Sequence, residues 1–386
     1  YLEKAVAEHR DATPFDQFVS YTGHGSYSNS LIAWRDEQQL LDEQFGDVFS
    51  RTHNAKFLRY SMQPFVKESL IREVRRDDVD MMVFHEHGMP HRQYLSGTPY
   101  VESAEDAAAE MQRSLRELAR RPGSGRESAA KRAAEKGLDS TWYNRAEEPE
   151  MLRLDSIADL RTGIILEEVE AITPNARFVV FDACYNGSFH LDDCIAASYI
   201  FGPGDCIVTQ GNSVNALQDK WPDRYIGLLD CGVRIGQWGR HVHYLETHLI
   251  GDPTYRFVNR ALPGTDLNTV LTAKASNNKY WLRMVAETMP ADVQAIALRK
   301  LADNGYDKIA DLCEKQVAES PYESVRLEAL TLMSTSRSPR FNAMLAQAAG
   351  DSYELVRRLV SQWIGDCGND ELVPAAVEML LDDELS

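Results

Sequence analysis

Residues 176–189 constrain this chain more than any other stretch. Phe178-Val179-Val180-Phe181 is an unbroken run of β-branched and aromatic residues, the pattern of a buried strand. The run ends at Asp182-Ala183-Cys184, and Asn186-Gly187 then turns the chain. A thiol at the exit of a buried strand sits at the rim of a parallel sheet, where open α/β sheets place their ligands. The same position also suits a small hydrophobe packed into the core.

A second stretch favours the first use. Residues 79–88, Val-Asp-Met-Met-Val-Phe-His-Glu-His-Gly, form another apolar strand that runs into a histidine and a glycine. A thiol nucleophile needs a base within hydrogen-bond reach, and the two can be far apart in sequence. Adjacent parallel strands would bring His87 and Cys184 together. Residues 15–22 read as a further strand ending at Gly23-His24-Gly25, so His24 competes for the role of base. His87 is preferred because its strand is the nearer core strand before Cys184, and because Asp80 and Glu86 flank it as carboxylates to orient an imidazole. His24 is then a turn residue or a residue of the substrate rim.

Together, His87-Gly88 after one strand and Asp182-Ala183-Cys184-Tyr185-Asn186-Gly187-Ser188-Phe189 after the next resemble the caspase-like cysteine peptidases of clan CD, and most closely the gingipain family. Leu249-Ile250-Gly251-Asp252-Pro253-Thr254 is similar to the Leu-Gly-Asp-Pro segment that closes the gingipain-type catalytic domain, and Gly23-His24-Gly25 also resembles the family's histidine segment. The resemblance covers roughly residues 15 to 258. His87 and Cys184 lie 97 residues apart, farther than is usual in gingipains, so an insertion separates them. The resemblance implies a cysteine endopeptidase acting on a protein or peptide substrate. Cys184 is then the nucleophile and His87 the base, and the backbone N–H groups of Gly88 and Cys184 form the oxyanion hole. It requires no cofactor, allows a structural calcium, and implies a periplasmic or secreted, bacterial setting. Related peptidases with an acidic residue two positions before the cysteine often prefer Arg or Lys before the scissile bond. Asp182 is therefore a candidate pocket floor, with Ser213, Asn215 and Trp221 as walls and Asp192, Asp193 and Asp219 as further acidic candidates. The other use of Asp182 is a strand-end carboxylate bonded to backbone.

Composition narrows the partners. The 386 residues carry a formal net charge of −18, which argues against a nucleic acid or an anionic membrane surface as partner. No run of eighteen apolar residues offers a membrane span. The six cysteines show no CxxC spacing and no zinc pattern, and are expected to be mostly buried thiols. The chain starts at Tyr1 with no signal peptide, as a processed or trimmed product would.

The rest of the chain reads as flanking helices and one distinct C-terminal region. Residues 1–13, 31–49, 66–74 and 195–201 are expected to be helical, residues 90–97 to be a loop, and residues 204–213 to be a strand. Residues 101–148 are rich in Ala, Glu, Lys and Arg around Pro122-Gly123-Ser124-Gly125, and read as two exposed helices joined by a flexible loop. This is the insertion, at about 101–150. Residues 157–172 are expected to form one helix, and 222–249 a helix pair. Beyond Pro263 the pattern is helical, and Val293, Val325 and Val356 open similar segments at spacings of 32 and 31. That period resembles HEAT-like repeats, which stack because no single unit buries its own apolar face. The expected fold class is α/β, a caspase-like, mostly parallel sheet flanked by helices over 1–262, followed by an all-α HEAT-like domain over 263–386. Such a stack offers a surface for a protein partner, or braces the catalytic domain. Two other functions fit the same sequence. One is a catalytically silent caspase-like scaffold whose HEAT-like segment binds a partner protein. The other is an acyltransferase or transpeptidase using the same dyad.

Overall fold

The structure, a computed structural model, describes every residue except 12, 26–29, 217–220, 287, 335–338 and 383–386, with the backbone alone for 30–32 and 382. Among these residues nine strands form two sheets: β1 (Phe18–Thr22), β2 (Ala55–Arg59), β3 (Met81–His85), β4 (His87–Met89), β5 (Arg92–Tyr94), β6 (Gly163–Ile165), β7 (Phe178–Asp182), β8 (Val208–Asn212) and β9 (Thr247–Gly251). The larger sheet has the order β2-β1-β3-β7-β8-β9. Its first five strands are parallel and β9 is the antiparallel edge. β4, β5 and β6 make a small antiparallel sheet beside its rim.

The central strands are buried along their whole length, and residue alternation feeds two cores. Phe18, Met81, Val83, Phe178, Val180 and Val208 face helix Ser30–Gln44 and the C-terminal helices. Val19, Tyr21, Met82, Phe84, Val179 and Phe181 face helices Val66–Val74, Leu166–Ile172 and Ile195–Phe201. A strand covered on both faces needs no polar alternation, which is why residues 178–181 read as a continuous apolar run.

Four expectations need correction. β3 stops at His85, so His87 stands not on a core strand but on β4, which pairs with β5. Residues 90–97 consequently hold β5 instead of a plain loop. The single helix expected at 157–172 is helix Pro149–Leu160, strand β6, and helix Leu166–Ile172. The apolar spacing suits a helix, but Arg92 holds the helix end through Asp159 O at 2.8 Å and Thr162 Oγ1 at 2.9 Å, and the β-branched Ile164-Ile165 then pairs with β5. The helix pair expected at 222–249 is a short 3₁₀ turn (Ile226–Leu229) and one helix (Ile235–Val242). Its end begins β9, so Leu249-Ile250-Gly251 closes the sheet edge.

The charged segment behaves as its composition suggests. Helices Ala104–Arg120 and Gly125–Glu135 form a hairpin on the outside of the molecule, joined by a tight turn. Arg116 anchors it to Asp155 on helix Pro149–Leu160, with Nε to Oδ2 at 3.0 Å. In the C-terminal region, helices Ala291–Asp303, Glu323–Met333 and Glu354–Cys367 carry Val293, Val325 and Val356, all fully buried. These helices share a core with the sheet and join it through buried polar contacts. Glu43 accepts the N–H groups of Glu323 and Ser324 at 2.7 and 3.0 Å, and Gln44 donates to Asp292 at 3.1 Å. All six cysteines are free thiols. No helix among the described residues is long and apolar enough to cross a membrane.

Candidate active site

The register of the sheet builds the site in two rows. Thr22, His85 and Asp182 are direct neighbours across β1, β3 and β7. Two residues further along each strand come His24, His87 and Cys184. The backbone ladder continues part-way into this second row: Gly23 N–H donates to His85 O at 2.8 Å, and Glu86 N–H to Asp182 O at 3.1 Å. His87 follows the end of β3 and Cys184 the end of its neighbour β7, while His24 follows β1 on the other side of β3.

The loop after β7 interlocks with β4. Asn186 is fully buried, and its Nδ2 donates to Met89 O at 2.6 Å and Arg92 O at 3.0 Å. Gly88 lies against this loop so closely that a Cβ would stand 2.5 Å from Cys184 O and 2.6 Å from Asn186 Oδ1. A glycine is thus required beside the thiol by packing alone. The turn after the thiol is made differently from the expectation. Tyr185, not Gly187, takes the left-handed conformation, at φ +58. Gly187 is needed because a Cβ there would meet Gly211 C at 2.4 Å. A non-glycine residue at positive φ is a strained conformation of the kind that clusters at functional sites.

Burial favours the neutral form of both Cys184 and His87. The Cys184 thiol is half-buried and accepts from Ala216 N–H at 3.3 Å. Burial raises its pKa, the Asp182 charge adds to this, and the Ala216 N–H opposes it. Burial lowers the pKa of His87. The His87 ring lies between Trp34, 5.1 Å away, and His24, 5.3 Å away. His24 is pushed down to about 4 by burial and by the neighbouring His87. Neither expected orienting carboxylate serves His87. Asp80 stands at the opposite end of β3 and accepts the N–H groups of Asp16 and Gln17 at 2.8 and 2.9 Å. Glu86 is fully buried and accepts from Gln93 Nε2 at 2.7 Å.

Asp182 is bonded to a side chain rather than to backbone. His85 Nδ1 lies 3.2 Å from Asp182 Oδ2 and 3.4 Å from Glu37 Oε2, and His85 Nε2 lies 3.9 Å from Asp223 Oδ2. The side chains of Glu37, His85 and Asp223 have no exposure, and that of Asp182 has 5%. Burial opposes charge on His85, but the hydrogen bond to Asp182, the nearby Glu37 carboxylate and the charge of Asp223 outweigh it and raise its pKa to about 10. Burial pushes Glu37 well above the usual carboxylate range, and Asp223 to about 7. Of the other candidates, Ser213 donates to or accepts from His248 Nε2 at 2.8 Å, Asn215 is exposed, and Trp221 is almost buried in the core. Asp219 lies outside the described residues. A cleft of about 690 Å³ follows β2, lined by Tyr60, Phe65, Ser96, Tyr100 and Arg161 among others; neither His87 nor Cys184 lines it.

Glu37, His85, Asp223 and Asn186 were not legible as site residues from the motifs alone. One signal was present for His85: it precedes Asp182 by the same 97 residues that separate His87 from Cys184, as two strands in fixed register require. No model of a known protein family matches the chain, and no curated protein matches it.

Proposed function

We propose that this chain is a cysteine endopeptidase with the caspase-like architecture its motifs resemble, using Cys184 as nucleophile and His87 as base. The observation that carries the reading is the interlock of β4 with the Cys184 loop, in which Gly88 touches the Cys184 carbonyl. The mostly parallel, helix-flanked sheet supports this reading. In the reaction, neutral His87 takes the thiol proton as Cys184 sulfur bonds to the peptide carbonyl carbon. The carbonyl π electrons move to oxygen, where the N–H groups of Gly88 and Cys184 receive the charge. Collapse of the adduct breaks the C–N bond, and His87 returns the proton to the leaving amine. Water, deprotonated by His87, then releases the acid and restores the thiol.

Asp182, two residues before Cys184 at the end of β7, supports selectivity for Arg or Lys before the scissile bond. Of the three carboxylates around His85 it alone keeps any exposure, and a guanidinium or ammonium reaching it gains a charge-assisted bond. The C-terminal helices read as HEAT-like repeats that brace the sheet, since they pack on helix Ser30–Gln44 and on the segment holding Asp223. The test is labelling by an acyloxymethyl ketone carrying Arg or Lys. Labelling at Cys184 that is absent in Cys184→Ala supports the enzyme. A folded protein that neither labels nor cleaves favours the silent scaffold, and transfer of the acyl group to added amines favours the transpeptidase.

A further inference from the structure

Beneath the thiol, the His85 cluster contains more acceptors than donors. His85 Nδ1 faces two carboxylates, Asp182 at 3.2 Å and Glu37 at 3.4 Å, and one N–H serves only one of them well. Neither oxygen of Glu37 has a hydrogen-bond partner among the described residues, nor does either oxygen of Asp223 or the hydroxyl of Thr22. These groups have no solvent exposure to compensate. Unpaired carboxylates in such a place are costly, and the surrounding chain provides no Lys or Arg that contacts them among the described residues.

We propose that Glu37, His85 and Asp182 bind a divalent transition-metal ion, Zn²⁺ or Mn²⁺, with Asp223 as the outer partner of the histidine. One donor atom from each of the three ligands lies within 4.8 Å of the others. Donors around an ion at about 2.1 Å stand about 3.0–3.4 Å apart in octahedral or tetrahedral sites, close to the observed His85 contacts. A mixed imidazole and carboxylate set suits Zn²⁺ or Mn²⁺ better than Ca²⁺, which takes oxygen ligands. Binding requires His85 to offer the Nδ1 lone pair. Its proton then sits on Nε2, facing Asp223 Oδ2, which is the carboxylate–histidine–metal arrangement that fixes the tautomer. The ion ties the ends of β3 and β7 to helix Ser30–Gln44, two residues below His87 and Cys184. Its role is to position them, since nothing routes the reaction through it. Three carboxylates against one dication remain net negative, so the preference for a basic substrate side chain is unaffected in sign.

The inference does not depend on the peptidase reading, and its test reads metal directly. The full chain carrying Cys184→Ala, which removes the thiol as a rival ligand, is dialysed against Zn²⁺, Mn²⁺ or Co²⁺ and then against buffer. Metal content and thermal midpoint are measured, together with the visible spectrum for Co²⁺. The expected result is one equivalent retained, a raised midpoint reversed by chelator, and a Co²⁺ spectrum with no thiolate charge-transfer band. Asp223→Asn should fold and weaken binding about 10–100-fold. Glu37→Gln, which keeps the shape but loses the charge, should retain no ion. A parent that retains no ion overturns the proposal, as does a Glu37→Gln variant that binds as the parent does.

Discussion

The two rows at the strand ends are built on the same backbone and differ in every physical respect that matters to chemistry. Thr22, His85 and Asp182 are enclosed, and the row gathers charge: without an ion, Asp182 and Glu37 favour protonated His85. His24, His87 and Cys184 lie two residues further along the chain, and neutrality is favoured there, with both imidazoles pushed down and the thiol pushed up. Burial acts on both rows, and what separates them is the partners. The inner row faces carboxylates from helix Ser30–Gln44 and from the segment before the 3₁₀ turn at Ile226–Leu229. The outer row faces Trp34 and a second neutral histidine. A neutral pair that can exchange a proton belongs at the rim, and a charged cluster that holds strands together belongs behind it.

The sharpest way to break this comparison is to exchange the histidines of the outer row. His87→Ala should lower kcat/KM about 10²–10⁴-fold, the range for loss of a positioned base. His24→Ala should cost far less, because its strand is not adjacent to that of Cys184. Steady-state kinetics on any peptide the parent cleaves checks both. Equal losses would make the two imidazoles a joint device, and a larger loss at His24 would overturn the assignment of the base.

A smaller effect is expected where the inner row meets substrate. Asp182→Asn removes one carboxylate behind the thiol, and the preference for Arg or Lys over Leu before the scissile bond should fall about tenfold, or ~1.4 kcal/mol. A panel of fluorogenic peptides varied at that one position reads the ratio. A parent that prefers Asp or Leu there removes the proposed selectivity. An unchanged basic preference in Asp182→Asn moves its origin to another acidic residue, with the exposed Asp192 and Asp193 the next to examine.

Much of the sheet was legible because strands buried on both faces announce themselves as apolar runs: β1, β3 and β7 fall where such runs occur, and β8 begins on one at Ile207-Val208. β6 and β9 were not. Ile164-Ile165 and Leu249-Ile250 are short, and their spacing also fits a helix, so only pairing with β5 and β8 decides them. In the site, His87, Gly88 and Cys184 were legible as motif residues. Glu37 was not, since a polar residue within a helix carries no sign that the helix will lie across a strand end. Asp223 was equally hidden, in a segment that reads as helical. The competition between His24 and His87 was a property of the sequence alone. The fold sets their rings 5.3 Å apart, with His87 alone on the strand that carries Gly88.

The smallest effect, and the most direct measure of the contrast, is the pH dependence of kcat/KM. The competent form of a neutral pair is thiol with free imidazole. Burial lowers the His87 pKa, so the imidazole is already neutral at pH values where an ordinary histidine is half protonated. The acid limb should therefore lie below 6.5, the ordinary histidine value. Burial and Asp182 raise the thiol pKa, so the alkaline limb should lie above the ordinary 9.0. Activity then spans a broad plateau between the two. A pre-formed thiolate–imidazolium pair behaves in the opposite sense: protonated His87 would need a raised pKa, and activity would fade as that proton is lost on the alkaline side. Asp182→Asn separates the cases. Removing its charge takes away one cause of the raised thiol pKa, so the alkaline limb should move down while the acid limb stays in place. An acid limb above 6.5 in the parent would show that the outer row carries charge after all and would remove the distinction between the rows.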